Sequence, residues 1–338
     1  MARVLLVPAV APASARTPTD GEEHRRMMAS AREDRFGRHR LVSRPEDADL
    51  ILFAITPGER RDLLRHPFVG RFPDRCFVFD AYSGSLPIMA GVYGCLSASA
   101  HLPGRTAAGH YPVVAEHPGF DVTPVPEDAP FLFSFLGASR TSPLRRALLR
   151  LDHPRVYLRD TSPNGAPRVR VKDLDPEARA RYYGSFVETL QASKFVLCPR
   201  GYGPSSLRLF EALRLGRAPV ILADDWAPVP GPEWDAFSIR VPERELDALP
   251  ALLEAREAVA PAMGRAAREA WEAWFDRPVS FHRIVEACLR LGRGGTMHTQ
   301  PRFLRLLLNK GNLRSYMKHY VRGTESRGRV RAAPSVSA

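Results

Sequence analysis

The segment SKFVLCPRGYGPSSLRLFEALRLGRAPVILADDW, Ser193 to Trp226, carries the strongest pattern in this chain. Its first apolar run, Phe195 to Cys198, has strand length and ends at Pro199. A glycine turn with Gly201 and Gly203 follows, and a helix opens at Pro204 or Ser205 and stops at Gly216. Ala218 to Ala223 then reads as a second buried strand. Strand, glycine turn, helix and strand form one unit of a parallel α/β sheet. In such sheets ligands bind beyond the carboxyl ends of the strands. Backbone N–H groups of the turn and the helix N-terminus converge there, which suits an anion. Arg200 lies at the turn, and Ser205 and Ser206 at the helix start. Arg208 and Glu211 stand three residues apart and share a helix face, where a carboxylate can accept from a ribose diol. The plain alternative is a glycine turn followed by a surface helix with an Arg–Glu pair.

Outward from that unit the same alternation continues. Strands are expected at 131–137, 155–159 and 237–241, and helices at 143–151, 176–192, 243–255, 258–275 and 280–292. The strand FLFSFLG ends in a glycine turn that leads to Arg140, with Arg145 in the next helix. Two arginines at strand-end level can grip a diphosphate through paired N–H bonds, although in an arginine-rich chain both can equally be solvated. The prolines of 123–130 suggest a stiff linker. Before it, 3–7, 49–56 and 75–80 read as strands and 22–34 and 59–66 as helices, while 81–130 reads as long loops with a few short strands. The N-terminal Val4–Val7 run reads as a buried strand rather than the core of a signal peptide, because Pro8 and Pro12 interrupt it. The expected fold class is therefore α/β, doubly wound, with domains at 1–125 and 126–298 and a basic helix and tail at 299–338.

Composition sets the outer limits. In 338 residues, 44% hydrophobic and 25% charged is ordinary for a globular chain of two domains, and no apolar run reaches the roughly 20 residues of a membrane span. The 49 Lys+Arg against 37 Asp+Glu give a charge of +12. Nine of these bases and one acid fall between Thr299 and Ala338, so that tail carries +8 and the body +4. Positive charge is almost all arginine, and the arginine, alanine and proline excess suggests a GC-rich, bacterial genome. Four scattered cysteines offer no zinc spacing, which argues against a structural metal and for a reducing, cytoplasmic setting.

Together, FLG with its following arginine, the 193–226 segment and the later WDAFSIRV (Trp234 to Val241) resemble the exostosin family of glycosyltransferases over about 131–253. The resemblance implies a GT-B-like fold of two facing Rossmann-like domains with parallel sheets. It implies an inverting transferase that moves a sugar from a nucleoside-diphosphate sugar, a UDP-sugar first of all, to a glycan or polysaccharide acceptor, with no cofactor and no metal at the donor. Carried onto this sequence, Arg140 and Arg145 would meet the diphosphate, Arg200, Gly201, Gly203, Ser205 and Ser206 would cradle phosphates or sugar, and Arg208 and Glu211 would serve the ribose. Asp224-Asp225 is read as an acidic turn and not as the metal-binding pair of the other glycosyltransferase fold, and Trp226 and Trp234 as packing residues.

Inversion needs a base from the first domain. Asp80, at a strand end, is the expected one, with His110 and Glu116 as competitors. The basic, partly apolar stretch 303–322 suggests either peripheral membrane contact or docking onto the first domain. It lacks the interleaved aromatics that would stack bases, so no nucleic-acid partner is expected. The rivals to transfer are another phosphate-binding α/β enzyme and a binding-only relic of the fold that holds a nucleotide or phosphate.

Overall fold

The structure, a computed structural model, describes residues 1–10, 21–82, 86–162, 175–297, 301–308 and 310–317. The first half contains β1 (Ala2–Val7), α1 (Glu22–Arg32), β2 (His39–Leu41), β3 (Leu50–Ile55), α2 (Arg60–Arg65), α3 (Pro67–Arg71), β4 (Cys76–Asp80), β5 (Gly91–Tyr93) and β6 (Thr106–Ala108). The second contains β7 (Phe131–Gly137), α4 (Pro143–Leu148), β8 (Val156–Asp160), α5 (Pro176–Gln191), β9 (Ser193–Pro199), α6 (Leu207–Arg214), β10 (Ala218–Leu222), α7 (Trp234–Phe237), β11 (Ile239–Arg240), α8 (Leu249–Glu254) and α9 (Ala260–Trp274). Then come α10 (Arg277–Leu291), α11 (Pro301–Leu307) and α12 (Lys310–Tyr316).

Every strand pairing within the two sheets is parallel. The first sheet runs β2-β1-β3-β4-β5-β6 and the second β11-β10-β9-β7-β8. A parallel sheet is covered on both faces, so its strands read as unbroken apolar runs. In β3, Ile51, Phe53 and Ile55 point to one core and Leu50, Leu52 and Ala54 to the other. In β9, Val196 and Cys198 face one layer and Phe195 and Leu197 the opposite one. The chain is thus an α/β protein of two doubly wound parallel sheets, the GT-B-like arrangement.

Several local expectations shift. The helix placed at 59–66 is a capped turn at Pro57–Glu59, then α2, then α3, because Pro67 starts a new helix. The helix placed at 204–216 begins at Leu207, since Ser206 is still extended (φ −120°). The helix placed at 243–255 splits into a 3-10 stretch and α8, whose first turn holds a proline. The edge strand β2, three residues long, was not foreseen.

The expected boundary at 298 falls after α10, yet α10 packs on the first sheet. Phe281, Ile284, Val285 and Cys288 share a core with Val4, Leu6 and Leu52. Ser30 Oγ of α1 donates to Arg277 O (2.5 Å) and accepts from Phe281 N (2.8 Å). The first half is therefore built from two separated stretches of chain. Phe303 of α11 is fully buried against that half as well.

The linker is fixed by a cation. Arg217 is fully buried, and its guanidinium donates to Gln191 O (2.8 Å), Thr123 O (2.7 Å) and Leu215 O (3.0 Å), and to Thr123 Oγ1 (2.9 Å). Burial pulls its pKa down to about 10, which still leaves it charged at neutral pH. Beside it, Gly216 closes α6 at φ +67°, and a Cβ on Gly264 of α9 would stand 2.4 Å from Gly216 O. Glycine at both positions lets α6 and α9 approach backbone to backbone.

Candidate active site

Strand order reverses in the second sheet between β7 and β9: the chain runs from β7 out to β8, then returns to β9 on the other side. Such a switch point leaves a crevice at the carboxyl ends of its two central strands. Gly137 ends β7 and Pro199 ends β9. Arg145 of α4 fills the space between them. Its Nε donates to Arg200 O (3.0 Å), its Nη2 to Pro199 O (3.0 Å), and its guanidinium lies over the Phe135 ring at 5.5 Å. A Cβ on Gly201 would come within 3.3 Å of Nη2, and one on Gly137 within 3.5 Å of Nη1. Arg145 has no acid partner among the described residues, and burial together with nearby Arg208 lowers its pKa to about 10. It is a charged brace that sets the shape of the 200–206 turn.

That turn offers hydroxyls. Ser205 and Ser206 are buried, and neither Oγ finds a hydrogen-bond partner among the described residues. Buried hydroxyls normally have partners, so two together mark a place shaped for something polar. Arg140, by contrast, is exposed in a 3-10 turn at Ser139–Thr141, past the end of β7. Arg200 is not aimed into the crevice either; its Nε pairs with Glu243 Oε1 at 2.6 Å. Gly203 O accepts from Gly201 N (3.2 Å), which tightens the turn.

Arg208 and Glu211 do not form the exposed pair of the plain alternative. Arg208 Nε donates to Leu136 O (2.8 Å), its guanidinium stacks on Phe186 at 4.0 Å, and its Nη1 pairs with Glu211 Oε2. Glu211 is buried, and its other oxygen lies 3.1 Å from Nδ1 of His117 in the first half. Burial opposes its charge, but Arg208 and His117 outweigh that and hold its pKa below the usual value. A polar cavity of about 350 Å³ opens beside this pair, lined by Leu136, Asp160, Thr161, Ser162 and Phe186 among others. Asp160 shapes its wall: it accepts from Ser139 N (3.0 Å), Ser139 Oγ (2.5 Å) and Ser162 N (2.8 Å). Burial resists ionisation there, yet those donors hold its carboxyl well below the ordinary range. His117, Asp160 and Phe186 escaped the sequence reading. Asp160 alone had a signal, as an acid at a strand end.

The larger cavity, about 500 Å³, lies elsewhere, between β5, β6, α10 and residues 227–230. Its walls are mainly apolar, among them Val92, Leu96, Ile284 and Leu291, and it does not contain the turn described above.

The expected bases need correction. Asp80 does not face the cleft: it is 1% exposed, and both oxygens take the guanidinium of buried Arg60, at 2.7 and 3.1 Å. Oδ1 also accepts from Tyr82 N (3.2 Å); the following residues, Ser83 and Gly84, lie outside the described residues. His110 is sealed between the halves, with Nε2 2.9 Å from Ser280 Oγ, and burial pushes its pKa down to about 3. Both side chains lie in the interior. Glu116 is partly exposed and pairs with Arg26 Nε at 2.8 Å. Arg26 also pairs with Glu22 and, at 2.5 Å, with buried Glu23, whose pKa burial raises to about 7 against the pull of Arg26. Asp224 and Asp225 turn apart. Asp224 Oδ1 accepts from Glu243 N (3.0 Å), while Asp225 caps Ser99 of the first half at 2.8 and 2.7 Å. Trp226 and Trp234 pack edge to face, centroids 4.9 Å apart, inside the core.

Known proteins share part of this chain. Residues 112–255 match the Exostosin GT47 domain model. A probable glucuronosyltransferase of Oryza sativa subsp. japonica is 32% identical over 110 residues, covering 32% of this chain and 25% of its own length. Probable glucuronosyltransferase 47 A of Physcomitrium patens is 31% identical over 147 residues, 38% of this chain and 30% of its own. The probable glucuronoxylan glucuronosyltransferase IRX7 of Arabidopsis thaliana is 40% identical over 78 residues, 22% of this chain and 17% of its own. The chain thus spans less than a third of the length of the curated relatives it matches. Among solved structures, Anabaena HepE in complex with UDP aligns with a TM-score of 0.44 at 12% identity, over 85% of this chain and 99% of that one. Acinetobacter baumannii MurG aligns with a TM-score of 0.37 at 10% identity, over 86% and 100%. The family resemblance drawn from the motifs is met over 112–255, and there the chain is exostosin-like.

Two stability predictions follow from the displaced bases. Asp80→Ala leaves Arg60 buried without this carboxylate, at a cost of about 3–5 kcal/mol in urea unfolding, whereas the paired Arg60→Met, Asp80→Leu chain recovers most of it. An Asp80→Ala chain as stable as wild type would contradict the pair's structural role. His110 has a folded pKa of about 3 against an ordinary 6.5, so the unfolded chain binds its proton more readily. Its contribution is full above pH 6.5 and declines as pH falls toward 3, by at most about 1.4 kcal/mol per pH unit. His110→Gln should flatten the acid side of the stability profile by one proton; identical slopes would exclude this.

Proposed function

We propose that this chain is a glycosyltransferase that holds a nucleoside-diphosphate sugar in the β7–β9 crevice and transfers the sugar, with inversion, to a glycan hydroxyl at the first half. The observation that supports it most is Arg145, a half-buried guanidinium with no acid partner among the described residues, bracing a turn whose two buried serine hydroxyls have no hydrogen-bond partner there. The diphosphate lies against Arg145, the turn and the N-terminus of α6, with Arg140 reaching in from the tip. The nucleoside enters the polar cavity beside Arg208 and Glu211, where Glu211 takes the ribose hydroxyls as His117 gives way. The curated relatives are named as glucuronosyltransferases, which makes a UDP-sugar such as UDP-glucuronate the first donor to try.

In the reaction the acceptor oxygen bonds to the anomeric carbon from the face opposite the diphosphate. The bond to the diphosphate oxygen breaks, and the leaving group departs with the electron pair. Arg145 and the turn's N–H groups meet the negative charge that develops there, so the positive potential comes from fixed protein groups and a donor-site metal is not required. The acceptor's proton goes to the Glu23–Arg26–Glu116 cluster, of which Glu116 is the accessible member.

The test is isothermal titration with UDP, followed by donor hydrolysis and transfer. Arg145→Ala should weaken UDP at least tenfold, about 1.5 kcal/mol or more, and Glu211→Ala should abolish the preference for UDP over 2′-deoxy-UDP. Glu116→Gln should lower transfer by about 10²-fold or more with UDP affinity unchanged. Unaltered UDP affinity in Arg145→Ala would overturn the donor assignment. With Asp80 and His110 sealed in the interior, a binding-only reading has support too; UDP binding without hydrolysis or transfer of any donor would select it.

The site of action is proposed to be a membrane surface. No helix among the described residues is long and apolar enough to cross a bilayer. In α11–α12, Phe303 faces the first half's core, while Leu304, Leu308 and Leu313 are exposed, as are Arg305, Lys310 and Arg314. Apolar and cationic groups together on one exposed segment suit an anionic lipid surface. The continuation to 322 lies outside the described residues. Vesicles containing phosphatidylglycerol should carry the protein up in flotation, and Leu304→Ser with Leu308→Ser should release it; equal flotation with neutral vesicles would refute this.

A further inference from the structure

Three ligand-type side chains far apart in the sequence meet at the edge of the first sheet. His39 opens edge strand β2, and His282 and Glu286 stand one turn apart on α10. One ligand atom from each lies within 4.8 Å of the other two. The two imidazole centroids are 5.0 Å apart with planes 29° from parallel. Two imidazoles on one tetrahedral ion place their centroids at about this separation, given Zn–N bonds of roughly 2.0–2.1 Å.

The polar atoms of this cluster are poorly satisfied. His282 Nδ1 is buried with no hydrogen-bond partner among the described residues, and the same holds for His39 Nε2. Glu286 Oε1 is 3.1 Å from His39 Nε2 but not aligned as a hydrogen bond. Asp34, whose Oδ1 is likewise buried and without a partner, is close enough for its charge to act on both rings. Both histidines are more than nine-tenths buried, and a metal takes the neutral imidazole. Buried ring nitrogens without a hydrogen-bond partner among the described residues are costly to leave so.

We propose that His39, His282 and Glu286, with Asp34 beside them, form a zinc site that clips α10 to the edge of the first sheet. Two imidazole nitrogens with a carboxylate select a borderline cation such as Zn²⁺ over Mg²⁺ or Ca²⁺, which take oxygen ligands. Ala2 N donates to His39 Nδ1 at 3.3 Å, so in the metal-free ring the proton sits on Nε2. Zinc binding at Nε2 moves that proton to Nδ1, and the long Ala2 contact gives way. Phe36 stacks on His282 at 4.1 Å and holds the ring in place. The site is independent of the donor crevice and of the glycosyl-transfer reading. Its effect is to fasten the helix that returns from the second half.

The experiment uses the full chain, stripped with chelator and dialysed. Titration with zinc chloride should show one equivalent bound per chain and a higher Tm, with no response to magnesium. Cobalt in place of zinc should give the visible absorption of a tetrahedral site. Glu286→Gln, on a partly exposed side chain, should weaken zinc at least tenfold with unchanged circular dichroism, and His282→Gln should remove the cobalt band. Glu269→Gln, on α9, should bind as wild type does. Substoichiometric zinc in the wild type, absence of the tetrahedral cobalt band, or equal zinc affinity in wild type and Glu286→Gln would each overturn the proposal; if His282→Gln fails to fold, the wild-type cobalt spectrum and Glu286→Gln still decide it.

Discussion

Glu211 is a buried carboxylate held between a cation of its own half and a histidine of the other, and the arrangement of the candidate site depends on that contact. A lone carboxylate in this position would be pushed toward neutrality; with Arg208 on one oxygen and His117 on the other it stays ionised. The pair fixes α6 against residues 112–117 of the first half, where Arg214 Nη1 also donates to Val114 O and, at 2.9 Å, to His117 O. Because α6 starts where the 200–206 turn ends, the same contact sets how that turn faces the first half. Tyr111, whose hydroxyl is 3.4 Å from Ser205 O, repeats the link one turn earlier. A nucleotide that displaced His117 from Glu211 would therefore act on the joint between the halves and not merely occupy a pocket.

A second joint involves the segment that follows β10. Residues 96–99 and 225–227 run alongside each other as a short antiparallel bridge, with Ala98 N donating to Asp225 O (2.8 Å) and Ala227 N to Leu96 O (3.3 Å). Asp225 adds its carboxylate to Ser99, while Asp224 stays within the second half on Glu243. Adjacent acids thus serve different halves. An ion that drew both carboxylates to itself would have to dismantle this bridge.

What was legible from sequence was whatever local periodicity encodes. The β9–α6–β10 unit, the FLG strand and α9–α10 were placed to within a few residues, because buried parallel strands and amphipathic helices leave strong patterns. Short elements were not: β2 has three residues, too few for a period to show. The burial of Asp80 and His110 was illegible for a different reason. Asp80 at a strand end looks the same in sequence whether it faces a cleft or a buried Arg60, and only the tertiary position of α2 decides. His110 likewise reads as a loop histidine until α10 returns to cover it with Ser280. The cluster of His39, His282 and Glu286 was illegible in principle, since its members come from opposite ends of the chain and no spacing rule connects them. The cysteine spacing, which argued against a structural metal, spoke only to sites built from cysteine.

The return of α10 links these observations. A chain of two doubly wound halves joined by a single linker would be free to hinge about it; here the linker is pinned by Arg217, and the chain crosses back a second time through α10. Cores on either side of the first sheet are completed by residues from beyond the second half, Phe281 and Val285 on one face and Phe303 on the other. Relative motion of the halves is then restricted to what two crossings allow. The groups that would change partners in such a motion include His117 on Glu211, Arg214 on the carbonyls of 114 and 117, Tyr111 on Ser205 and residues 96–99 on 225–227. These contacts are polar, so each can exchange its protein partner for water or a ligand at small net cost, whereas the apolar core that joins Tyr111, Val114 and Phe120 to α6 resists parting. The apolar contacts of α10 thus tie the two halves together more firmly than this polar layer does.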